Sequence, residues 1–200
     1  MPSNANSETL YVPLEYPFIQ DAINVAQEGD VIEVSAGQYS YCEVNETHPC
    51  SLTIQARESN GMIDDVYVSH LNVRNEFCSN SELTASGLSL GYLETVYAGT
   101  NVTANLCSIS RLRVNGQSNL SATNCIIQTS INYSADIDNA TASFQNCTFD
   151  LTLRGVGIYS SSVTSLVLIN ECLFTRYILM LIQTTFETNQ GFTMWTLIVI

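Results

Sequence analysis

The sequence predicts an all-β fold, a right-handed parallel β-helix whose short strands stack into coils behind one N-terminal capping helix. Three features indicate this solenoid: one early helical stripe, strand-and-turn composition after Asp30, and an apolar signature repeating about every 20 residues. A chain of 200 residues that is 46% hydrophobic can form one domain with a buried core. We expect a single domain over residues 1–200, with the cap region at 10–30 and the coils at 31–200.

The capping helix is predicted from Pro17 to Ala26. Its apolar residues form a stripe on one helical face, and proline suits the first turn of a helix. Gly29 is expected to end it. The stripe consists of Phe18, Ile19, Ala22, Ile23 and Ala26.

Beyond residue 30, two apolar residues separated by one variable residue recur at intervals of 17 to 25 residues. A helical crossover between parallel strands would lengthen this unit beyond about 30 residues, so the repeats fit solenoid coils. The asparagines before Cys125 and Cys147 are expected at bends, in the left-handed backbone conformation. The pairs are Ile32/Val34, Leu52/Ile54, Leu71/Val73, Leu88/Leu90, Cys107/Ile109, Cys125/Ile127, Cys147/Phe149 and Cys172/Phe174.

A β-sandwich is the alternative fold. Its hairpins would show Asn-Gly or Asp-Gly between alternating strands, and only Asn60-Gly61 and Asn115-Gly116 qualify. Near the C-terminus, Phe192–Ile200 has the pattern of a buried strand without a cap. The last coil is therefore expected to be incomplete and to promote end-to-end association.

The segment Glu15–Tyr39 has the sequence Glu-Tyr-Pro-Phe-Ile-Gln-Asp-Ala-Ile-Asn-Val-Ala-Gln-Glu-Gly-Asp-Val-Ile-Glu-Val-Ser-Ala-Gly-Gln-Tyr, and Ser51–Gln55 supplies the next strand. It resembles the opening of right-handed parallel β-helix proteins of the pectin lyase-like superfamily, including pectinesterases. In that group a capping helix leads through Gly-Asp into the first strand. The resemblance implies the fold. The catalytic segments of pectinesterases, pectate lyases and polygalacturonases are absent, so no activity follows from it.

Charge limits the partners of this protein. It has six arginines, no lysine and 19 acidic residues, for a net charge of -13 at pH 7. Nucleic acid and anionic lipid need clustered basic residues and are excluded. No apolar segment reaches the roughly 18–20 residues of a membrane span.

Six Asn-X-Ser/Thr sequons favour a secreted or cell-surface glycoprotein. No signal peptide is visible at the start of the chain. The sequons lie at Asn45, Asn101, Asn119, Asn132, Asn139 and Asn146.

Two groups of outward side chains are candidate sites. The first resembles a carbohydrate-binding or esterase groove, although polar residues are also the default on an outward strand face. The second is a weaker calcium or acid/base candidate formed by Asp136 and Asp138, for which a solvated turn is the alternative. The first group comprises Gln128, Asp150, Arg111, Arg154 and Arg176.

The seven cysteines fall into two groups. Ile or Phe follows four of them by two places, which predicts an inward stack of unpaired thiols packed as small hydrophobic groups. Cys42 and Cys50 flank a seven-residue segment and are one candidate disulfide, while the state of Cys78 is left open. The stacked cysteines are Cys107, Cys125, Cys147 and Cys172.

We expect a non-catalytic structural or surface protein whose sheet faces bind glycan or another protein. A polysaccharide-active enzyme, pectinesterase-like or lyase-like, is the alternative. No cofactor is expected, and the sequence contains no C-x-x-C motif and only two histidines, His48 and His70, with which to bind a metal.

Overall fold

The computed structural model describes residues 7–76, 78, 81–128, 133–150, 156–160, 165–175, 181–185 and 193–196. They form a parallel β-solenoid of about six turns with one short helix near the N-terminus. One sheet has eight parallel strands, and a second has thirteen strands. The predicted all-β solenoid is therefore confirmed.

The helix α1 spans Ile19–Val25. The strands, in chain order, are β1 Thr9–Val12, β2 Val31–Val34, β3 Gly37–Asn45, β4 Ser51–Ala56, β5 Glu58–Ser59, β6 Met62–Ile63, β7 Val66–Arg74, β8 Ser81–Ser86, β9 Leu88–Leu90, β10 Leu93–Val96, β11 Thr100–Asn105, β12 Ser108–Ile109, β13 Leu112–Asn115, β14 Asn119–Thr123, β15 Ile126–Gln128, β16 Tyr133–Asp138, β17 Thr141–Gln145, β18 Thr148–Asp150, β19 Val156–Ser160, β20 Leu166–Asn170, β21 Leu173–Thr175, β22 Leu181–Thr185 and β23 Thr193–Thr196.

The eight-stranded sheet, which we call the plain wall, has the order β1-β2-β4-β8-β11-β14-β17-β20. Its strands alternate buried and outward residues, as expected when one face of a sheet covers a core. The buried residues stack in register from turn to turn. One such file contains Ile32, Ile54, Ala85, Ala104, Ala122 and Phe144.

The thirteen-stranded sheet bends into two arms, because β7 pairs with β9 through Val66–Val68 and with β10 through Leu71–Arg74. The first arm continues through β12, β15, β18 and β21, and the second through β13, β16, β19 and β22. Strand β23 adds to β22 in antiparallel orientation. At the bend, a Cβ atom on Gly91 would lie 2.5 Å from the carbonyl oxygen of Ser69, so glycine is required there.

The file predicted for Ile109, Ile127, Phe149 and Phe174 is confirmed in its strand register, and its first three members are buried. Ile109 pairs with Ile127, Ile127 with Phe149, and Phe149 with Phe174. Leu90 of the pair Leu88/Leu90 continues this file, because it pairs with Ile109. The three pairs before it do not. The pair Leu52/Ile54 lies in the plain wall and Leu71/Val73 in the second arm, because every wall of the solenoid buries alternate residues and produces the same signature.

The bends before the first-arm strands have left-handed backbone geometry, as predicted for asparagine. Asn124 and Asn146 have φ values of 54° and 53°. The equivalent positions before the neighbouring strands, occupied by Gly87, Leu106 and Glu171, also have positive φ. The conformation is thus imposed by the coil at this corner and is not specific to asparagine.

Helix α1 is shorter than predicted, with seven residues, and it buries Ile19, Ala22 and Ile23. The prediction that Phe18 belongs to the buried stripe is wrong, since its side chain is 59% exposed. The backbone of Phe18 is extended, so this residue precedes the helix and does not follow its periodicity.

The cap satisfies peptide groups on two strands at the N-terminal end. The Gln20 side chain accepts a hydrogen bond from the backbone nitrogen of Glu43 in β3 at 2.7 Å and donates to its carbonyl oxygen at 3.2 Å. The Glu15 carboxylate accepts a hydrogen bond from the backbone nitrogen of Tyr11 in β1 at 3.2 Å. These contacts occupy edge groups that would otherwise be open to another strand.

Cys50 and Cys78 form a disulfide between successive turns, with Cα atoms 5.7 Å apart. The candidate pair Cys42–Cys50 is wrong. Cys42 lies in an inward file beside Leu71 and is a buried free thiol, because strand alternation directs it into the core.

The predicted thiol stack is confirmed as unpaired. Three of its members are buried, and Cys172 is partly exposed. Each buried thiol lies 3.4–3.5 Å from a plain-wall carbonyl oxygen of the preceding turn, within the range of a weak S–H hydrogen bond. Cysteine therefore provides both a small apolar group and a weak donor at this corner. The buried members are Cys107, Cys125 and Cys147.

Candidate functional site

The outward face of the second arm carries a row of rings that follows the solenoid axis. Tyr41 pairs in register with His70, and their ring centroids are 5.1 Å apart. The His70 ring lies 4.5 Å from that of Tyr92, and the Arg111 guanidinium lies over the Tyr92 ring at 4.9 Å. We call these four residues the ring file.

A second row, the polar file, runs beside the ring file, and its first four members each follow a ring-file residue by two positions in the chain. Within it, Arg113 Nη1 donates to Glu94 Oε1 at 3.4 Å, and Arg113 Nε lies 3.8 Å from Asp136 Oδ2. Strand register brings the five members together from five successive strands. They are Glu43, Asn72, Glu94, Arg113 and Asp136.

The two files contact each other. The Tyr41 hydroxyl donates to Glu43 Oε2 at 2.8 Å, and His70 Nε2 lies 3.9 Å from Glu94 Oε2. Two of the three rings therefore lie against a carboxylate, so the face presents apolar ring surface beside hydrogen-bond acceptors.

Several buried polar atoms of this face lack a hydrogen-bond partner among the residues that the structure describes. They are His70 Nε2, Asn72 Oδ1 and Arg113 Nε. An unpaired buried polar group costs about 1–3 kcal/mol, and such groups are few in native proteins. Two of the three, His70 Nε2 and Arg113 Nε, face carboxylates at 3.9 and 3.8 Å, beyond hydrogen-bond distance.

The environment also shifts the protonation of the site. Burial lowers the pKa of His70, an effect that Glu94 opposes and Arg111 reinforces, so the imidazole is neutral at pH 7. Burial raises the pKa of Asp136, against the opposing effect of Arg113. Perturbed titratable groups of this kind concentrate at functional sites.

Arginine is scarce in this chain, and three of its six arginines lie on this face: Arg74, Arg111 and Arg113. The first lies 4.0 Å from Glu43 and the third contacts Glu94. Arg111 is exposed, and its guanidinium lies over the Tyr92 ring and makes no hydrogen bond or ion pair within the described part of the chain. Its guanidinium donors are therefore available to a ligand.

The predicted first group is divided between the two arms. Gln128 and Asp150 are register partners on the first arm, whereas Arg111 belongs to the ring file of the second arm. Arg154 and Arg176 lie outside the described residues. A common site for these five residues stays a prediction.

Asp136 and Asp138 lie in β16, paired with Arg113 and Asn115, so the alternative of a solvated turn is wrong. Over the residues the structure covers, no three His, Cys, Asp or Glu side chains are grouped in a way that could hold a metal ion. The same residues contain no helix long and apolar enough to cross a membrane.

Sequence interpretation missed the ring file because its members are far apart in the chain. A signal was present: a ring or arginine, an inward residue and a polar residue recur as triplets. Only strand register shows that these triplets stack. They are Tyr41-Cys42-Glu43, His70-Leu71-Asn72, Tyr92-Leu93-Glu94 and Arg111-Leu112-Arg113.

No protein-family model, curated protein or solved structure matches this chain.

Proposed function

We propose that this protein is a non-catalytic surface or structural protein that binds a glycan on the outward face of the second arm. The ring file beside the polar file is the observation that supports this function. Aromatic rings pack against the apolar faces of sugars, while carboxylate, amide and guanidinium groups hydrogen-bond to their hydroxyls.

The charges of the face favour a neutral glycan. The carboxylates of Glu43, Glu94 and Asp136 are balanced on this face by three arginines, so the face itself has no net charge, while the whole chain has a net charge of -13. An anionic polymer such as polygalacturonate is repelled by the net charge of the chain. We therefore expect neither binding nor turnover of pectin or polygalacturonate.

A glycan array carrying neutral and acidic oligosaccharides tests this proposal. We expect binding to neutral chains, weakened at least tenfold by Tyr92→Ala, which removes a ring and the support of Arg111. Tyr67→Ala is the control, because Tyr67 is 41% exposed on β7 but lies outside both files. Absence of binding, or an equal loss with both variants, would contradict the proposal.

The same proposal includes membership of the pectin lyase-like superfamily. Its support is the Gly29-Asp30 junction, where the Asp30 carboxylate accepts hydrogen bonds from the backbone of Glu8 at 2.8 Å and Gln27 at 2.7 Å. This aspartate joins the cap to the first strands. A crystal structure with left-handed coils would refute the assignment.

Secretion or surface display is the third part of the proposal. The Cys50–Cys78 disulfide supports it, because such bonds persist mainly in oxidising compartments. Among the sequons, Asn119 and Asn146 are exposed. Expression through a eukaryotic secretory pathway should give a product whose mass falls on treatment with an N-glycosidase; unmodified protein would refute the glycoprotein assignment.

A polysaccharide-active enzyme is the alternative, and one observation favours it. Glu94 and Asp136 lie on opposite sides of Arg113, and burial raises the pKa of Asp136, as expected for the acid of an acid/base pair. Enzymatic activity would be established if the protein released reducing ends, methanol or unsaturated products and the Asp136→Asn variant did not. Glycan binding without product supports the non-catalytic function.

A further inference from the structure

A cleft of about 210 Å³ lies between α1 and β3, where the ring file begins. Its walls include three rings, those of Phe18, Tyr39 and Tyr41. Tyr41 is also the first member of the ring file. The cleft and the file are therefore one continuous surface.

The cleft offers both apolar and polar contacts. Phe18 is 59% exposed and Tyr41 is 47% exposed, so ring surface is accessible. The Tyr39 hydroxyl donates to the carbonyl oxygen of Ser35 at 2.9 Å, which fixes that ring. Asp21 and Ser40 also line the cleft.

The polar groups of the cleft are free to bind a ligand. Asp21 and Ser40 make no side-chain hydrogen bond with any residue the structure describes. The amide of Gln20, in contrast, is fully used by the Glu43 backbone and Asn24. A ligand in the cleft would therefore meet rings, one carboxylate and one hydroxyl.

Charge identifies the chemical class of the ligand. A cation would suit Asp21 in the cleft but would be repelled by Arg111 at the far end of the ring file. An anion would suit Arg111 but would be repelled by Asp21 and Glu43. A neutral chain of sugars can pack its apolar faces on the rings and use its hydroxyls at both ends.

The position of α1 limits the length of this surface. The ring file covers three inter-strand spacings, about 14 Å, which is longer than a single sugar ring. Beyond Tyr41 the next element is α1, held on β3 by Gln20. A chain that follows the rings towards the N-terminus therefore meets the helix at the cleft.

We infer that the cleft is a subsite for the terminal sugar, so that the protein binds the ends of neutral glycan chains. This inference rests on the proposed glycan-binding function. The ring file holds the sugars that follow the terminal one, and the cleft volume suits one sugar unit.

The test compares the two ends of one ligand. The binding affinity is measured for hexaoses of β-1,4-glucose, β-1,4-mannose and β-1,3-glucose. Each hexaose is used free in solution, coupled to a support through its reducing end, and coupled through its non-reducing end. We expect coupling through one end to weaken binding at least tenfold and coupling through the other to change it less than twofold. Equal tolerance of both couplings would overturn the subsite while the proposed function stands.

Substitutions test whether the cleft causes the difference between the two couplings. Phe18→Ala should weaken binding of the free hexaose by about fivefold to tenfold and remove the difference between the two ends. Leu14→Ala is the control, since Leu14 is 79% exposed in the cap but does not line the cleft. An unchanged affinity in Phe18→Ala overturns the inference, and failure of all three hexaoses to bind overturns the proposed function as well.

Discussion

Individual residues at the solenoid corner adopt a backbone conformation that is unfavourable in free energy. Leu106 has a φ of 54° at the bend where Asn124 and Asn146 occupy the next two turns. The left-handed conformation costs about 1–2 kcal/mol for most residues and less for asparagine. Leu106 is 50% exposed, so little apolar burial offsets this cost.

We therefore expect Leu106→Asn to raise the free energy of unfolding by about 0.5–1 kcal/mol in urea denaturation. The reverse change, Asn124→Leu, should lower it by at least as much, since Asn124 also donates to the Asn105 side chain. A loss of stability in Leu106→Asn would show that the leucine side chain contributes more than its conformation costs.

The thiol stack gives a second prediction at this scale. The hydrogen bond between Cys107 and Cys125 raises the pKa of the Cys125 thiol to about 12 and lowers the pKa of Cys107, so the expected protection of all three thiols rests on their burial. We expect Cys107, Cys125 and Cys147 to react with a thiol reagent only after denaturation. Cys172, which is partly exposed, should react first. Rapid labelling of all four in the native protein would contradict burial of the stack.

Helix α1 depends on a small hydrogen-bond network. His48 Nδ1 accepts from the backbone nitrogen of Asn45 at 2.9 Å, so the proton of the neutral ring lies on Nε2, which faces Asn24 Oδ1 at 3.2 Å. Asn24 Oδ1 also accepts from Gln20 at 2.9 Å. Protonation of Nδ1 would break the contact with Asn45 and weaken the attachment of the helix.

This network predicts that the stability of the folded protein depends on pH. Burial lowers the pKa of His48 below 6.5, despite the opposing effects of Glu43 and Glu46, so the folded state takes up a proton less readily than the unfolded state. The resulting stability is present above pH 6.5 and is lost as the pH falls below it. His70 also has a lowered pKa and acts in the same direction.

We expect the urea midpoint of unfolding to decrease when the pH is lowered from 7.5 to 5. The decrease should be smaller in His48→Gln, and the part that remains is due to His70. Circular dichroism at both pH values measures the effect. A midpoint that rises on acidification, or an unchanged slope in His48→Gln, would exclude His48 as a contributor.

The sequence predicted the helix and the first-arm strands better than the register that brings side chains of the second arm together. The stripe around Ile19 and Ile23 predicted the helix, and cysteine spacing predicted the first-arm file through Ile127 and Phe149. The site was not predictable in this way, because register across the second arm depends on loop lengths that differ from turn to turn. His70 has no functional neighbour in sequence, and its neighbours Tyr41 and Tyr92 are supplied by adjacent turns.

Across the whole molecule, the outward faces of the plain wall and of the second arm differ in chemistry. The central outward file of the plain wall contains hydroxyl residues, and charge and rings collect on the second arm. This alternation also produces sequons: Asn119 and Ser121 point outward together, and Asn119 donates to Asn101 of the previous turn at 2.9 Å. These sequons therefore have a structural cause in addition to any role in glycosylation. The hydroxyl file comprises Thr53, Thr84, Thr103, Ser121 and Ser143.

The Cys50–Cys78 disulfide ties two successive turns near the capped end, across a sequence separation of 28 residues. A closed loop of this length restricts the unfolded chain, which corresponds to about 3–4 kcal/mol of stability in the chain-entropy model. The double variant Cys50→Ala/Cys78→Ala should therefore unfold at lower urea concentration, with a decrease in unfolding free energy approaching that value.

Cys172→Ser is the matched control, because Cys172 is free and partly exposed, and it should change stability by less than about 1 kcal/mol. Thiol titration in denaturant provides an independent check: five thiols are expected in the non-reduced protein, since Cys42 and the four stacked cysteines are free. Seven thiols together with unchanged stability of the double variant would mean that the bond does not form. In that case the turns near the cap would be held by the contacts of Gln20 and Asp30 with the backbone, and the support for an oxidising compartment would be lost.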